Sequence, residues 1–259
     1  MTLRLVSYNI HQGRTATRSK LETAALADAI SAFNPDVVVL QEVAGCGEED
    51  NRVAMKQLET LARDRWQHIA YGGNETFRGG FHGNAVLSRF PILHSRHLDL
   101  SVRLPRRRQA FLPRRGMLWA EIQPEGTAPL FVAATHLGLS EYERAAQIER
   151  LCRFVGRRCD ESGQLVVAGD FNDWRGRATG AIREKLGVDE AFLNADAKHA
   201  KTFPAQFPVL CLDRIYFRGM PLVRAQRALG EHWAKLSDHL PVFAEFQLQP
   251  AKAMAKGSR

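Results

Sequence analysis

The stretch LVVAGDFNDW, residues 165–174, decides how this chain is read. Leu165, Val166 and Val167 form a short apolar run without alternation, the pattern of a strand buried on both faces. The chain then presents Asp170, Asn172 and Asp173 at once. A carboxylate and a carboxamide at a strand end make a poor core. They can close an Asx-turn, or they can hold a cation or a polar substrate.

The same pattern recurs along the chain. SYN ends a strand on Asn9, VVVLQE ends one on Gln41 and Glu42, and FVAATH ends one on Thr135 and His136. CLDRIYF sets Asp213 at the start of an apolar strand, and LSDHLPV puts Asp238 and His239 just before the last one. Each segment alone reads as an ordinary loop, turn or cap. Six such segments explained separately make a weaker account than one explanation for all. If the strands lie in facing sheets, these ends converge on one rim. Carboxylate and amide oxygens without thiols suit a hard dication such as Mg²⁺ or Mn²⁺. Two histidines beside them supply a base and a proton donor, so the set is suited to metal-assisted hydrolysis of a phosphate ester.

The rest of the sequence fits a globular α/β protein. Of 259 residues, 45% are apolar and 25% charged, enough for a sizeable core. The net charge of +8 favours an anionic partner. Part of that excess, Lys252, Lys256 and Arg259, falls in a C-terminal stretch over 250–259 that reads as disordered. Cys46, Cys152, Cys159 and Cys211 show no zinc spacing and read as reduced thiols of a cytoplasmic protein. The N-terminal residues enter a strand pattern directly, with no signal-peptide pattern. No apolar run reaches the length of a transmembrane segment. Nothing in the sequence demands an obligate protein partner.

Strands are expected over 3–8, 36–40, 67–71, 85–88, 92–100, 117–123, 130–135, 165–168, 212–217 and 242–248. Helices are expected over 19–33, 52–64 and 141–156, the first opened by a capping box of Ser19 and Glu22. Strands outnumber helices, and several follow one another without a crossover helix. The expectation is an α/β sandwich of mixed sheets in one domain over 1–249.

In order, the motifs YN, QE, GNAVLSR, THL, GDFN, LDRIYF and SDHLPV resemble the endonuclease/exonuclease/phosphatase family with its DNase I-like fold. The likeness runs from residue 7 to residue 242 and is nearest to a bacterial subgroup of small members. It implies a four-layer sandwich of two mixed β-sheets flanked by helices, and hydrolysis of phosphodiesters or phosphomonoesters with Mg²⁺ or Mn²⁺. Carried over by position, Glu42 is the principal metal ligand, with Asn9 beside it and Asp238 in the acidic cluster nearby. Asp170 and Asn172 align the water and the phosphate. His239 is oriented by Asp213, and His136 matches a leaving-group histidine, with the division of proton transfer between the two left open. Arg115, Asn84 and His82 are expected to contact substrate. Two positions depart from relatives. Residue 11 is a histidine where abasic-site nucleases carry a carboxylate, and His82 lies near a glutamate position of pancreatic-type DNases.

The segment from 102 to 116 carries Arg103, Arg106, Arg107, Arg108, Arg114 and Arg115. It reads as a solvated hairpin tip or as a phosphate-binding loop, which nucleic acid or an acidic phospholipid would satisfy equally. Trp174 and Phe203 would stack on a base or headgroup if exposed and join the core if buried, and Phe81 sits in a glycine-rich loop. The expected activity is hydrolysis of phosphodiester bonds, as a nuclease or a general phosphodiesterase. The rivals are a phospholipid headgroup diesterase, a phosphomonoesterase on a soluble phosphate, and a basic binding module with an inactive site. Retention of Glu42, Asp170, Asn172, Asp238 and His239 together argues against the last.

Overall fold

The computed structural model describes residues 1–14, 23–46, 50–75, 80–102 and 114–251. Ser19 and Glu22, the arginines 103, 106, 107 and 108, and the basic residues 252, 256 and 259 lie outside these, as does the side chain of Phe81.

Two six-stranded sheets hold the chain. The first is built from β1 (Thr2–Asn9), β2 (Val37–Cys46), β3 (His68–Glu75), β4 (Gly80–Ser88), β11 (Leu222–Arg227) and β12 (Val242–Gln247), in the order β11-β12-β1-β2-β4-β3. The second is built from β5 (Ile92–Asp99), β6 (Gly116–Ile122), β7 (Leu130–His136), β8 (Gln164–Asp170), β9 (Asp189–Glu190) and β10 (Asp213–Arg218), in the order β5-β6-β7-β8-β10-β9. Each sheet has one parallel pair at its centre, β1 with β2 and β7 with β8, among antiparallel neighbours. Helices α1 (Thr23–Ser31) and α2 (Asp50–Ala62) pack on the first sheet, and α3 (Glu141–Gly156) and α4 (Arg177–Leu186) on the second. A short α5 (Ala191–Asp196) follows β9. This is the expected four-layer sandwich. No helix among the described residues is long and apolar enough to cross a membrane.

Period-two alternation builds all three apolar layers. Leu3, Leu5, Val37, Val39 and Val86 of the first sheet meet Leu118, Val132, Ala134, Val166, Ala168 and Ile215 of the second in the central layer. Val6, Tyr8, Val38 and Leu40 turn outward to Leu26, Ile30 and Leu58. Met117, Ala133, Leu165 and Val167 turn outward to Leu151, Val155 and Ile182. Each large aliphatic side chain so buried contributes about 1.5–3 kcal/mol over its exposed state. Helix α3 shows why periodicity located it: Ile148, Leu151, Cys152 and Val155 form one buried stripe, and Glu141 and Glu143 in its first turn complement the helix dipole.

The inward rows carry the functional logic. Leu3, Leu5, Ser7 and Asn9 lie on one face of β1; Val132, Ala134 and His136 on one face of β7; Val166, Ala168 and Asp170 on one face of β8. Antiparallel β10 and β4 arrive from the other direction, with Asp213 before Ile215 and with His82 and Asn84 before Val86. Each row is apolar deep in the sandwich and polar at the same end.

Two expectations need correction. Phe81, read as part of a glycine-rich loop, lies on β4, which starts at Gly80 rather than residue 85. Residues 36–40 were expected to end their strand at Gln41 and Glu42, but β2 continues to Cys46. Its pairing with β4 shifts between Leu40 and Val43, so that Gln41 and Glu42 stand where β4 has Asn84 alone. Glu42 takes a left-handed backbone, φ 54°. A bulge therefore does the work of a strand end, re-aiming a carboxylate while pairing resumes beyond it. Strands β9 and β11 and helices α4 and α5 were not foreseen.

Candidate active site

Asn9 sits at the centre of the polar rim. Its Nδ2 donates to Asp170 Oδ2 at 3.1 Å and to Glu42 Oε1 at 3.4 Å, and its Oδ1 accepts from the His11 backbone N–H at 3.1 Å. The contact with Asp170 crosses from one sheet to the other. Asp170 is 1% exposed, and its Oδ2 also lies 3.4 Å from His136 Nε2 and 3.7 Å from His239 Nε2. His239 Nδ1 contacts Asp213 Oδ2 at 2.8 Å. Asp213, Asp170 and His136 occupy neighbouring register positions on β10, β8 and β7, which makes one row of them across the second sheet.

Loop geometry completes the set. Asn172 adopts φ 49°, a conformation asparagine tolerates better than most residues. Its N–H donates to Asp170 Oδ1 at 2.9 Å and its Nδ2 to Leu137 O at 2.9 Å. Ser237 Oγ donates to Asn9 O at 2.7 Å and accepts from His239 N–H, fixing the SDH segment against β1. Asp238 Oδ1 lies 3.5 Å from His11 Nδ1. Arg115 Nη1 lies 3.0 Å from both ring nitrogens of His136. His82 packs edge-on to His136 with centroids 6.0 Å apart, and Phe203 lies 4.9 Å from the His239 ring. Asn84 donates to Gly116 O at 2.8 Å, and its buried Oδ1 has no partner among the described residues.

The electrostatics divide the two histidines. Burial, the Arg115 guanidinium and the neighbouring imidazoles hold His136 well below the usual histidine pKa. Arginine can only donate, so His136 faces it as a neutral ring. Burial pulls His239 down too, but Asp213 and Asp170 outweigh it and push His239 up to about 10. Burial raises Asp170 to about 6. His82 is lowered by burial and by Arg115. A protonated His239 between two carboxylates beside a neutral His136 gives the rim a donor and an acceptor at the same pH.

A second buried network stands behind the first. Arg214, 1% exposed, bonds Asp173 Oδ2 at 3.1 Å and Asp173 O at 2.6 Å, Cys211 O at 3.2 Å, Thr179 Oγ1 at 2.8 Å and the Tyr216 hydroxyl at 3.2 Å. One guanidinium thus ties the loop carrying Asn172 to the strand starting with Asp213. Gly169 also serves position. At φ 146° it lets β8 approach β7 so closely that a Cβ would lie 1.9 Å from Thr135 O.

All eleven residues expected at the site line this rim or its immediate support. Asp238 is connected through His11, the position that departs from abasic-site nucleases. Trp174 is 46% exposed and Phe203 half-buried. Sequence reading missed Arg214, Ser237 and the partnership of His11 with Asp238. A cue existed for Arg214, a charge one residue after Asp213 on the face that otherwise carries Tyr216.

A metal must meet suitable donors. Among the described residues, ligand atoms of Asp170, Asp213 and His239 lie within 4.8 Å of one another, but Asp213 is already engaged by His239 there. The carboxylates of Glu42 and Asp170, both on Asn9, supply hard oxygen donors, which fits a dication of the Mg²⁺ or Mn²⁺ type.

Comparison with known proteins agrees with the fold and with the family resemblance. The chain is 38% identical over 253 residues to the protein YbhP of Escherichia coli (strain K12), covering 95% of this chain and 97% of that one. Its fold is similar to an endonuclease/exonuclease/phosphatase from Beutenbergia cavernae DSM 12333, with TM-score 0.78, 22% identity, and 96% and 72% of the two chains covered. It is also similar to a mannosyl-6-phosphatase from Bacteroides thetaiotaomicron VPI-5482, with TM-score 0.67, 19% identity, and 95% and 99% covered. Residues 6–239 match the family model, so the chain belongs to the Endonuclease/Exonuclease/phosphatase family, whose members are generally hydrolases of phosphate esters.

Proposed function

We propose that the protein is a Mg²⁺- or Mn²⁺-dependent phosphodiesterase acting at the rim of Asn9, Glu42, His136, Asp170, Asn172, Asp213 and His239. The observation that carries this reading is the bridge of Asn9 from Glu42 to Asp170, which brings the carboxylates of the two sheets onto one amide. Glu42 would hold the ion, with Asn9 and Asp238 alongside. When bound, the ion polarises a phosphoryl oxygen and stabilises the leaving oxygen. Asp170 and Asn172 orient the attacking water. Asp213 holds Nδ1 of His239 and leaves Nε2 facing Asp170 for proton transfer. Neutral His136, with the Arg115 guanidinium against it, presents phosphate with a positive charge and a second proton relay.

The test is hydrolysis of bis-p-nitrophenyl phosphate and p-nitrophenyl phosphate with Mg²⁺, Mn²⁺ or EDTA. Diester turnover abolished by EDTA is expected. A general acid–base group contributes about 10²–10⁴, so His239→Ala should leave a folded but less stable and nearly inactive protein. Retention of more than about a tenth of the wild-type rate would refute its role.

A further inference from the structure

Six of the ten large hydrophobic side chains exposed among the described residues stand at the site end of the sandwich: Leu139, Tyr142, Trp174, Phe207, Val209 and Leu229. Leu139 and Tyr142 follow His136 as the chain leaves β7, and Trp174 follows Asn172 as it leaves β8. Phe207 and Val209 lie in the turn over residues 203–210. That turn is joined to the SDH segment by the bond from Ala205 N–H to Asp238 O at 2.7 Å. Leu229 follows Ala228, whose N–H bonds Pro241 O at 3.0 Å. Exposure ranges from 46% at Trp174 to 76% at Phe207. The Arg144 guanidinium lies 4.9 Å from the Trp174 ring centroid and also holds the Gly138 and Leu139 carbonyls, so Leu139 and Trp174 are presented together.

A scattered exposed leucine needs no explanation, but a concentration around one opening does. Whatever covers this collar covers the catalytic rim as well, so the partner must itself carry the bond to be cut. Nucleic acid would stack on the aromatic members only; Leu139, Val209 and Leu229 offer no π-face. Arg175 and Arg177 on this rim are engaged by Glu141 rather than arrayed as a backbone track. A bilayer surface accepts every member of the set, aliphatic chains below the headgroups and Trp and Tyr at their level. The net charge of +8 favours an anionic one.

Resting on the phosphodiesterase reading, we infer that the collar of Leu139, Tyr142, Trp174, Phe207, Val209 and Leu229 seats the site on an anionic phospholipid surface, making a headgroup phosphodiester the substrate class.

The molecule contains its own reporter. Trp66, Trp119 and Trp233 are buried, so Trp174 is the tryptophan open to solvent. The experiment titrates the full chain in EDTA with phosphatidylglycerol–phosphatidylcholine vesicles, phosphatidylcholine vesicles and a single-stranded oligonucleotide, reading acrylamide quenching and co-sedimentation. The anionic vesicles are expected to shield Trp174 from quencher, and Leu139→Ser with Phe207→Ser should weaken their binding at least about tenfold. That double variant should hydrolyse bis-p-nitrophenyl phosphate at the wild-type rate, since neither residue belongs to the catalytic set. Shielding by the oligonucleotide alone, equal binding of both vesicle types, or vesicle binding unchanged in the variant would overturn the inference. Loss of bis-p-nitrophenyl phosphate turnover in wild type would instead strike the phosphodiesterase reading, leaving the binding result to stand by itself.

Discussion

Replacing Arg214 with methionine removes a guanidinium that is 1% exposed and holds five acceptors. Asp173 would remain buried with the Ala178 N–H, 2.7 Å away, as its surviving strong contact. Breaking one side of a buried ion pair costs about 3–5 kcal/mol, because the other charge is stranded. For a chain of this size each kcal/mol lowers Tm by roughly 2–4 °C, so Arg214→Met should melt about 10 °C lower. Adding Asp173→Leu removes the stranded charge and should recover much of that loss, since an apolar pair of similar volume is often neutral. The assay is calorimetric melting of wild type, both single variants and the double. Activity is the second readout: the loop carrying Asn172 and the strand carrying Asp213 both lose their tether, so kcat should fall at least about tenfold even in the double variant. A Tm loss under 2 °C for Arg214→Met, or a double variant equal to the sum of the singles, would show that the pair carries no coupled load.

Gly169→Ala should destabilise by about 3 kcal/mol, the upper end for overpacking, and abolish activity, because the new methyl would meet Thr135 O; denaturant unfolding checks it. His239 has a folded pKa near 10 against about 6.5 unfolded, so its ion-pair stabilisation is full below pH 6.5 and lost as pH rises through 10. The Tm gap between wild type and His239→Gln in EDTA should therefore narrow from pH 6 to pH 10. Glu42→Gln should keep the wild-type Tm in EDTA yet lose the Mn²⁺-induced Tm rise, since a ligand stabilises only by its binding to the folded state.

The layers of the sandwich were legible because buried strands and amphipathic helices announce themselves by period. Residues 141–156 matched α3 at both ends, since a buried stripe and a terminal glycine agree there. Strand β11 escaped because LVRAQR is an exposed edge whose alternation is polar, and β9 because two residues carry no period. The convergence of Asn9, Glu42, His136, Asp170 and Asp213 on one rim was legible from polar residues ending apolar rows. The site's wiring was not: Asp173 meets Arg214 across 41 positions, and His11 meets Asp238 across most of the chain. Nothing local encodes such pairings. The bulge at Glu42 was hidden for another reason, since a polar pair after VVVL looks the same whether pairing stops or skips.

The bridge of Asn9 between Glu42 and Asp170 also makes the site a calliper. Its jaws belong to opposite sheets, and the filling between them is the layer of Leu3, Val39, Val132 and Val166. A methylene added or removed there changes the spacing of the jaws without touching them. Turnover should therefore register wear in the filling well before the molecule melts, and repacking that layer offers a way to tune the site from its interior.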